Sequence, residues 1–400
     1  MEQLGQLEQP DLTSPGSGRA RTGAPEQLVV IQPTPFCNID CDYCYLPDRN
    51  VTRRMSAETL SAIAHEVCTS ALLRPQLTFV WHAGEPLAAG RDFFQAAFAE
   101  VARHAAPRSK QITHSIQTNG TLLDARWIEL LQRHGVRLGL SIDGPAFLHD
   151  RHRRRRDGRG THAAVMRAVE ALHRANYPFS VIAVVTRESL AHPDEFFDFF
   201  ASLGATVVGL NVEEAESAHP HSALQENDSE TALRRFYAHL LRRQEASGRR
   251  VLFREFRPFL ALLDGTPMQA GTDAPSSAVT PFSIVNFDVD GRFSTYCPEL
   301  LGARAPRFNS FVMGRVPGDR LDGLLGNALF ANVRAEIDAG VARCRAECDY
   351  WRFCGGGNPS NKFFEHGRFD VTATRYCRQH KQLILEVALE HAEHGLGLHA

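Results

Sequence analysis

Gln27-Leu28-Val29-Val30-Ile31-Gln32-Pro33-Thr34-Pro35-Phe36-Cys37-Asn38-Ile39-Asp40-Cys41-Asp42-Tyr43-Cys44 joins a short apolar run to three cysteines within eight residues. The run Leu28 to Ile31 reads as a buried strand, so the thiols fall on a loop at a strand's end. Three thiolates can hold three corners of a 4Fe-4S cubane, which normally takes four cysteines. One iron is then left open and can bind a reactant instead of only passing electrons. The competing readings are a structural zinc site and three unrelated cysteines. Zinc wants a fourth Cys or His close by, and the nearest His is His65, inside an expected helix.

The 400 residues allow two or three domains. A 43% hydrophobic and 22% charged composition is that of a globular protein. The net charge of −2 gives no general argument for nucleic acid or a membrane surface as partner, and no apolar stretch is long enough to span a bilayer. Residues 1–25, rich in Gly, Pro, Ser, Gln and Glu, lack the apolar core of a signal peptide and read as a disordered tail. Nine cysteines without a secretion signal imply a reducing, cytoplasmic location, where clustered cysteines are metal ligands more often than disulfides. Cys68 stands apart, on a helix with Leu60, Ile63, Val67 and Ala71 at helical spacing, and reads as a small buried thiol.

From residue 26 to 246 strands and helices alternate. Expected strands are Leu28–Gln32, Leu77–His82, Ile112–Gln117, Val136–Ile142, Phe179–Val185 and Thr206–Val212. Helical patterns lie at Ser56–Leu73, Arg91–His104, Asp124–His134, Thr161–Ala175, Pro193–Leu203 and Ser229–Gln244, with Ser56 and Asp124 as N-caps. This is an α/β pattern with a parallel sheet and helices outside. Six units suit a partial (β/α)6 TIM-type barrel, and the count alone also suits a doubly wound sheet. Barrels of this type gather reactive groups at the C-terminal strand ends, where the cysteine loop falls. Residues 247–281 form a connector, with a helical piece at Val251–Leu263 and a Gly/Pro/Ser/Thr-rich stretch at Gly265–Ala278. A second region, 282–400, opens with a hairpin turning at Asp288-Val289-Asp290-Gly291 and ends in an amphipathic helix near Gln379–Glu393.

The C-x3-C-x-aromatic-C spacing of Cys37, Cys41 and Cys44 resembles the signature of radical S-adenosylmethionine (SAM) enzymes. The resemblance implies a 4Fe-4S cluster whose open iron chelates SAM and generates a 5′-deoxyadenosyl radical. An electron donor such as flavodoxin or ferredoxin is implied with it. Further segments carry the likeness. Trp81-His82-Ala83-Gly84-Glu85-Pro86 resembles the family's Gly-Gly-Glu-Pro segment, with backbone groups and the Glu85 carboxylate offered to the SAM ammonium, and Gly84 permitting close approach. Thr118-Asn119-Gly120 and Ser141-Ile142-Asp143-Gly144-Pro145 are implied to line the SAM pocket, Ser141 near the ribose. Tyr43 is expected on the adenine, and Arg153, within His149-Asp150-Arg151-His152-Arg153, on the SAM carboxylate. The rest of Arg151–Arg156 reads as a solvated basic loop or an attractor of acidic peptide. His219-Pro220-His221 reads as a surface loop rather than a metal site.

Cys344-x3-Cys348-x5-Cys354, followed by Cys377, can complete a closed cluster, with a four-cysteine zinc site as its rival. The glycines 355–357 would let backbone amides approach the sulfurs. The region resembles the SPASM domain of peptide-modifying radical SAM enzymes, whose full pattern holds two auxiliary clusters on seven cysteines. Here Cys344, Cys348, Cys354 and Cys377 match the outer cluster, whereas the inner one retains Cys297 alone, and the position four after Cys354 is Asn358. One auxiliary 4Fe-4S cluster is therefore expected, with Cys297 a buried thiol, a substrate contact or an unusual ligand.

Taken with Cys354-Gly355-Gly356-Gly357-Asn358-Pro359-Ser360-Asn361-Lys362, these segments are similar to the cyclophane-forming peptide maturases of the GrrM/OscB type, from about Gln27 to Gln382. That similarity implies a precursor-peptide substrate and a carbon–carbon bond from an aromatic ring to a nearby β-carbon, with the auxiliary cluster as electron acceptor or shaper of the peptide site. A general base is needed. Sulfatase maturases use an Asp directly after the hairpin cysteine, where this chain has Pro298, and Asp288, Asp290 and Glu299 are the nearby candidates. The alternatives are formylglycine formation on a sulfatase and, from another class, a non-catalytic metal-binding, peptide-binding protein. No separate leader-binding domain fits the N-terminal stretch, so the barrel mouth, the Arg151–Arg156 loop or the second region is expected to hold the precursor.

Overall fold

The computed structural model describes residues 27–226, 228–264 and 274–395, so the expected tail at 1–25 and most of the stretch from 265 lie outside the described residues. Among the described residues nine strands form one sheet. Six run parallel in chain order: β1 (Gln27–Ile31), β2 (Gln76–Trp81), β3 (Gln111–Thr118), β4 (Arg137–Ser141), β5 (Phe179–Val185) and β6 (Val208–Val212). Helices Ala57–Thr69, Arg91–Ala105, Ala125–Arg133, His162–Arg174 and Pro193–Leu203 connect or flank them. β1, β2, β4 and β6 are buried over nearly their whole length and read as apolar runs, whereas β3 and β5 alternate between buried and half-buried positions. Val29, Ile31, Phe79, Trp81, Ile116, Leu140, Ala183 and Leu210 are fully enclosed.

The hairpin extends this same sheet. β7 (Ile284–Phe287) lies parallel to β1, with Ile31 opposite Phe287, while β8 (Arg292–Thr295) and β9 (Gly314–Arg315) follow antiparallel. β1 thus sits between β2 and β7 in the middle of an open sheet whose edges are β6 and β9. The barrel is partial: it does not close on itself. The C-terminal residues also return to it, His380 Nε2 lying 2.6 Å from the Leu210 carbonyl and Gln379 donating to the Leu224 carbonyl at 2.8 Å.

Local signals account for most element ends. Ser56 Oγ accepts from Thr59 N at 3.0 Å, and Asp124 Oδ1 from Trp127 N at 2.8 Å, each satisfying an otherwise orphaned helix donor. The first helix stops at Thr69, short of Leu73, because Ser70 is extended and its hydroxyl donates to Asp322 at 2.6 Å. The piece expected at Val251–Leu263 is a run of 3-10 turns, Arg254–Phe259, before a single α-turn, since Pro258 lacks the amide an α-helix needs.

Candidate active site

The cysteine loop leaves β1 at the sheet's centre and is fastened on both sides. A small ribbon pairs Ile39–Cys41 with Arg153–Arg155, setting Cys41 opposite Arg153. Arg156 Nη2 donates to the carbonyls of Cys37 at 2.7 Å and Arg49 at 2.6 Å. Arg151 pairs with Glu188 at 2.7 Å and Arg154 donates to the Asp150 carbonyl, so this basic run mostly braces the site. Burial pushes the Cys37 thiol up to about 12, with the Glu85 and Cys44 charges adding to the rise. Cys41 is raised too, by burial and by its two partner thiols, while Arg153 opposes the rise. Two N–H donors face these sulfurs: Asn119 Nδ2 lies 3.8 Å from Cys37 Sγ and Arg153 Nη1 4.0 Å from Cys41 Sγ. Three thiols whose charges act on one another, two of them met by donors, fit a cluster held as thiolates.

The loop after β2 presses against that cysteine segment. Gly84 has a φ of +65°, and a Cβ there would lie 2.4 Å from the Thr34 carbonyl oxygen and 2.8 Å from those of Pro35 and Phe36. The close approach made possible at Gly84 is therefore to the lead-in of the cysteine loop. Glu85 is 1% exposed. Its carboxylate accepts from Leu87 N at 2.9 Å, the Thr118 hydroxyl at 2.6 Å and Asn119 N at 2.8 Å. These three bonds make it a strut between the ends of β2 and β3. Asn119 also donates to Asn38 Oδ1 at 2.9 Å. Ser141 Oγ accepts from Gln117 Nε2 at 3.0 Å.

Arg153 is 7% exposed and spends two donors on Asp143, Nε to Oδ2 at 2.8 Å and Nη2 to Oδ1 at 3.1 Å. Tyr43 donates its hydroxyl to Asp143 Oδ2, and the Arg153 guanidinium lies 5.4 Å from the Tyr43 ring centroid. Val184 N completes the shell of Asp143 at 2.9 Å. Burial raises the Asp143 carboxyl, and the charges of Arg153 and His149 outweigh it to leave a net lowering. Asp143 is thus the hub that aims Arg153 and Tyr43, one link behind the residues singled out from sequence. Its signal was its place in Ser141-Ile142-Asp143-Gly144-Pro145 at a strand end, eclipsed by Ser141.

The four late cysteines line one enclosed cavity with Gly356, Gly357, Thr372 and Lys381. Among the described residues no three His, Cys, Asp or Glu side chains converge on a single-ion site. Cys297 is 2% exposed, and its Sγ lies 2.6 Å from Asn358 Oδ1. Of the three base candidates, Asp288 is consumed by the hairpin, its Oδ1 accepting from Asp290 N at 2.9 Å and Arg292 N at 3.0 Å. Asp290 pairs with Arg53 at 3.0 Å. Glu299 remains. Burial raises its carboxyl, and its charge reaches Glu214, Glu216, Tyr45 and Cys297. Burial first, then the Glu299 charge, pushes Glu214 up to about 8. Asn361 Nδ2 donates to Glu214 and, at 3.5 Å, to Glu216. The acidic group lies at the C-terminal end of β6, beside the cysteine loop, where Ala218 N meets the Tyr45 carbonyl at 3.1 Å. Sequence reading missed Glu214 and Glu216, because a run such as Glu213-Glu214-Ala215-Glu216 reads as solvated surface until β6 fixes where it ends.

The sequence profile of the Radical SAM superfamily matches residues 31–216. An uncharacterized protein of Synechocystis sp., sll1766, is 39% identical over 377 residues, 94% of each chain. A serine-type anaerobic sulfatase-maturating enzyme of Klebsiella aerogenes is 36% identical over 193 residues, 48% of this chain and 47% of that one, so the match spans less than half of that relative. The solved structure of native anSMEcpe with bound AdoMet and Cp18Cys peptide superposes with a TM-score of 0.73 at 21% identity, covering 94% of this chain and 99% of that one. This chain belongs to the radical SAM superfamily, and membership implies a 4Fe-4S cluster and SAM. No helix among the described residues is long and apolar enough to cross a membrane.

Proposed function

We propose that this protein oxidatively crosslinks a ribosomally made precursor peptide, joining an aromatic ring carbon to a nearby β-carbon as a cyclophane. The observation that carries the reading is the Cys297–Asn358 contact at 2.6 Å. An inner auxiliary cluster needs further thiolates around Cys297, and an amide oxygen stands there instead. The reading of Cys344, Cys348, Cys354 and Cys377 as ligands of one auxiliary 4Fe-4S cluster agrees with the cavity they share. The peptide in the anSMEcpe structure supports a peptide substrate on this fold.

Bound at Cys37, Cys41 and Cys44, the cluster with SAM supplies a 5′-deoxyadenosyl radical able to remove a β-hydrogen. Tyr43, Asn119, Ser141 and Arg153 surround the SAM site, and Asp143 holds the tyrosine and the arginine in place. Gly84 and Glu85 act one layer out, fixing the loop and β3 around the cysteines. Ring attack leaves one ring proton to be removed, and Glu299 takes it on its carboxylate. Its raised pKa makes it a stronger base than an exposed glutamate. The second hydrogen leaves as an atom at the β-carbon, and one electron departs to a one-electron acceptor. An electron donor such as flavodoxin or ferredoxin starts each cycle.

Formylglycine formation is the second reading, favoured by 36% identity to the Klebsiella enzyme across the barrel. Pro298 in place of the expected Asp, and Asn358, count against it. Co-expression with a short aromatic-containing reading frame beside the gene, followed by tandem mass spectrometry, separates the two. The proposal expects loss of two hydrogens confined to an aromatic residue and a neighbour, with no aldehyde. A hydrazide-reactive aldehyde, or an unchanged peptide mass, contradicts it. Failure to form 5′-deoxyadenosine from SAM and dithionite contradicts both.

A further inference from the structure

Lys362 closes the run that begins at Cys354. It lies in the helix Pro359–His366 and is 2% exposed. A buried ammonium is costly unless an anion or strong acceptor meets it. Here Nζ donates to Cys344 Sγ at 3.5 Å. Two glycines keep room for the side chain. A Cβ on Gly340, in the helix Ala328–Glu347, would lie 3.0 Å from Nζ and 2.2 Å from the Phe369 carbonyl oxygen. A Cβ on Gly357 would lie 3.4 Å from Lys362 Cε and 3.7 Å from Cys377 Sγ. Two separate elements are notched where this one lysine reaches the sulfurs.

We propose that Lys362 is a positioning residue that sets the reduction potential of the auxiliary cluster: its ammonium, hydrogen-bonded to Cys344, favours the reduced state. The inference rests on the reading of the four late cysteines as cluster ligands. Reduction adds one negative charge to the site, and a fixed cation 3.5 Å from a ligand sulfur stabilises that added charge. Hydrogen bonds to cluster sulfurs act in the same direction.

The test is a redox titration of the full-length reconstituted protein followed by electron paramagnetic resonance. The SAM-site signal is assigned by its change on adding SAM, and the auxiliary signal by its indifference. Lys362→Met removes the charge and the donor, whereas Lys362→Gln keeps a neutral donor and covers the case in which the Met variant does not assemble. Loss of the charge is expected to lower the equilibrium constant for reducing the auxiliary cluster about tenfold, which is about 59 mV for one electron. Lys362→Arg, which keeps the charge, is expected to shift it less than either. With about eight irons per chain from two four-iron cubanes, an unchanged potential in the neutral variants overturns this inference alone. A wild-type protein with about four irons and a bound zinc overturns the auxiliary-cluster reading and this inference together.

Discussion

Replacing Gly84 with alanine tests the way the cysteine loop is clamped. At a φ of +65° an L-residue is strained by about 1–2 kcal/mol. The new methyl would sit 2.4 Å from the Thr34 carbonyl oxygen and 2.8 Å from two more. All three are backbone atoms that cannot rotate away, so overpacking adds about 1–3 kcal/mol. The total is about 2–5 kcal/mol. Gly248 supplies the matched control, having a φ of +66° and open space, with nothing within 4 Å of where a Cβ would stand. Gly248→Ala therefore carries only the backbone cost, about 1–2 kcal/mol. Urea unfolding measures both, and iron content after anaerobic reconstitution measures whether residues 34–37 have been displaced. Gly84→Ala is expected to lose more stability than the control and to take up less iron. Equal stability with full iron would refute the clamp.

Asp143→Asn leaves the Arg153 charge buried without its bidentate partner, which is expected to cost about 3–5 kcal/mol. Glu129→Gln, at an exposed Arg133 pair, is expected to cost under about 1 kcal/mol in the same thermal or urea unfolding measurement. Glu299→Gln is expected to leave 5′-deoxyadenosine formation standing while crosslinked peptide falls at least tenfold; equal loss of both products would remove Glu299 from the proton step. His114 and His149 are held neutral by burial, their pKa values lowered from 6.5 to about 4. The unfolded chain protonates both below pH 6.5 while the folded chain resists until about pH 4. Stability is therefore unaffected by them at neutral pH and declines as pH falls through that window, by up to about 3 kcal/mol per histidine. Unfolding of His114→Gln across the window, with a flatter decline than wild type, checks this.

Much of the fold could be read directly. The six parallel strands lie where short apolar runs predicted them, and Ser56 and Asp124 cap as their side-chain chemistry requires. What sequence concealed was long-range pairing. Nothing in Ile284–Phe287 announces that it lies beside Leu28–Ile31, far earlier in the chain, because register is set by packing across the sheet. The hairpin, expected to open a second region, is in consequence part of the barrel's sheet. The cysteines were legible because their chemistry needs fixed spacing. The supporting carboxylates were not. Asp143 and Glu85 look alike as short acidic residues at strand ends, and only geometry reveals that one aims an arginine while the other ties two loops together. Glu214, Glu216 and Glu299 come from two segments far apart in the chain, so their shared burial has no local signature.

The most direct test follows a ring hydrogen. The precursor peptide is co-expressed in medium carrying ring-deuterated aromatic amino acids, and the product is sequenced by tandem mass spectrometry. Cyclophane formation predicts that each crosslink loses one ring deuterium and one hydrogen from a neighbouring β-carbon. A product that keeps every ring deuterium and bears an aldehyde at a Ser or Cys would contradict the account.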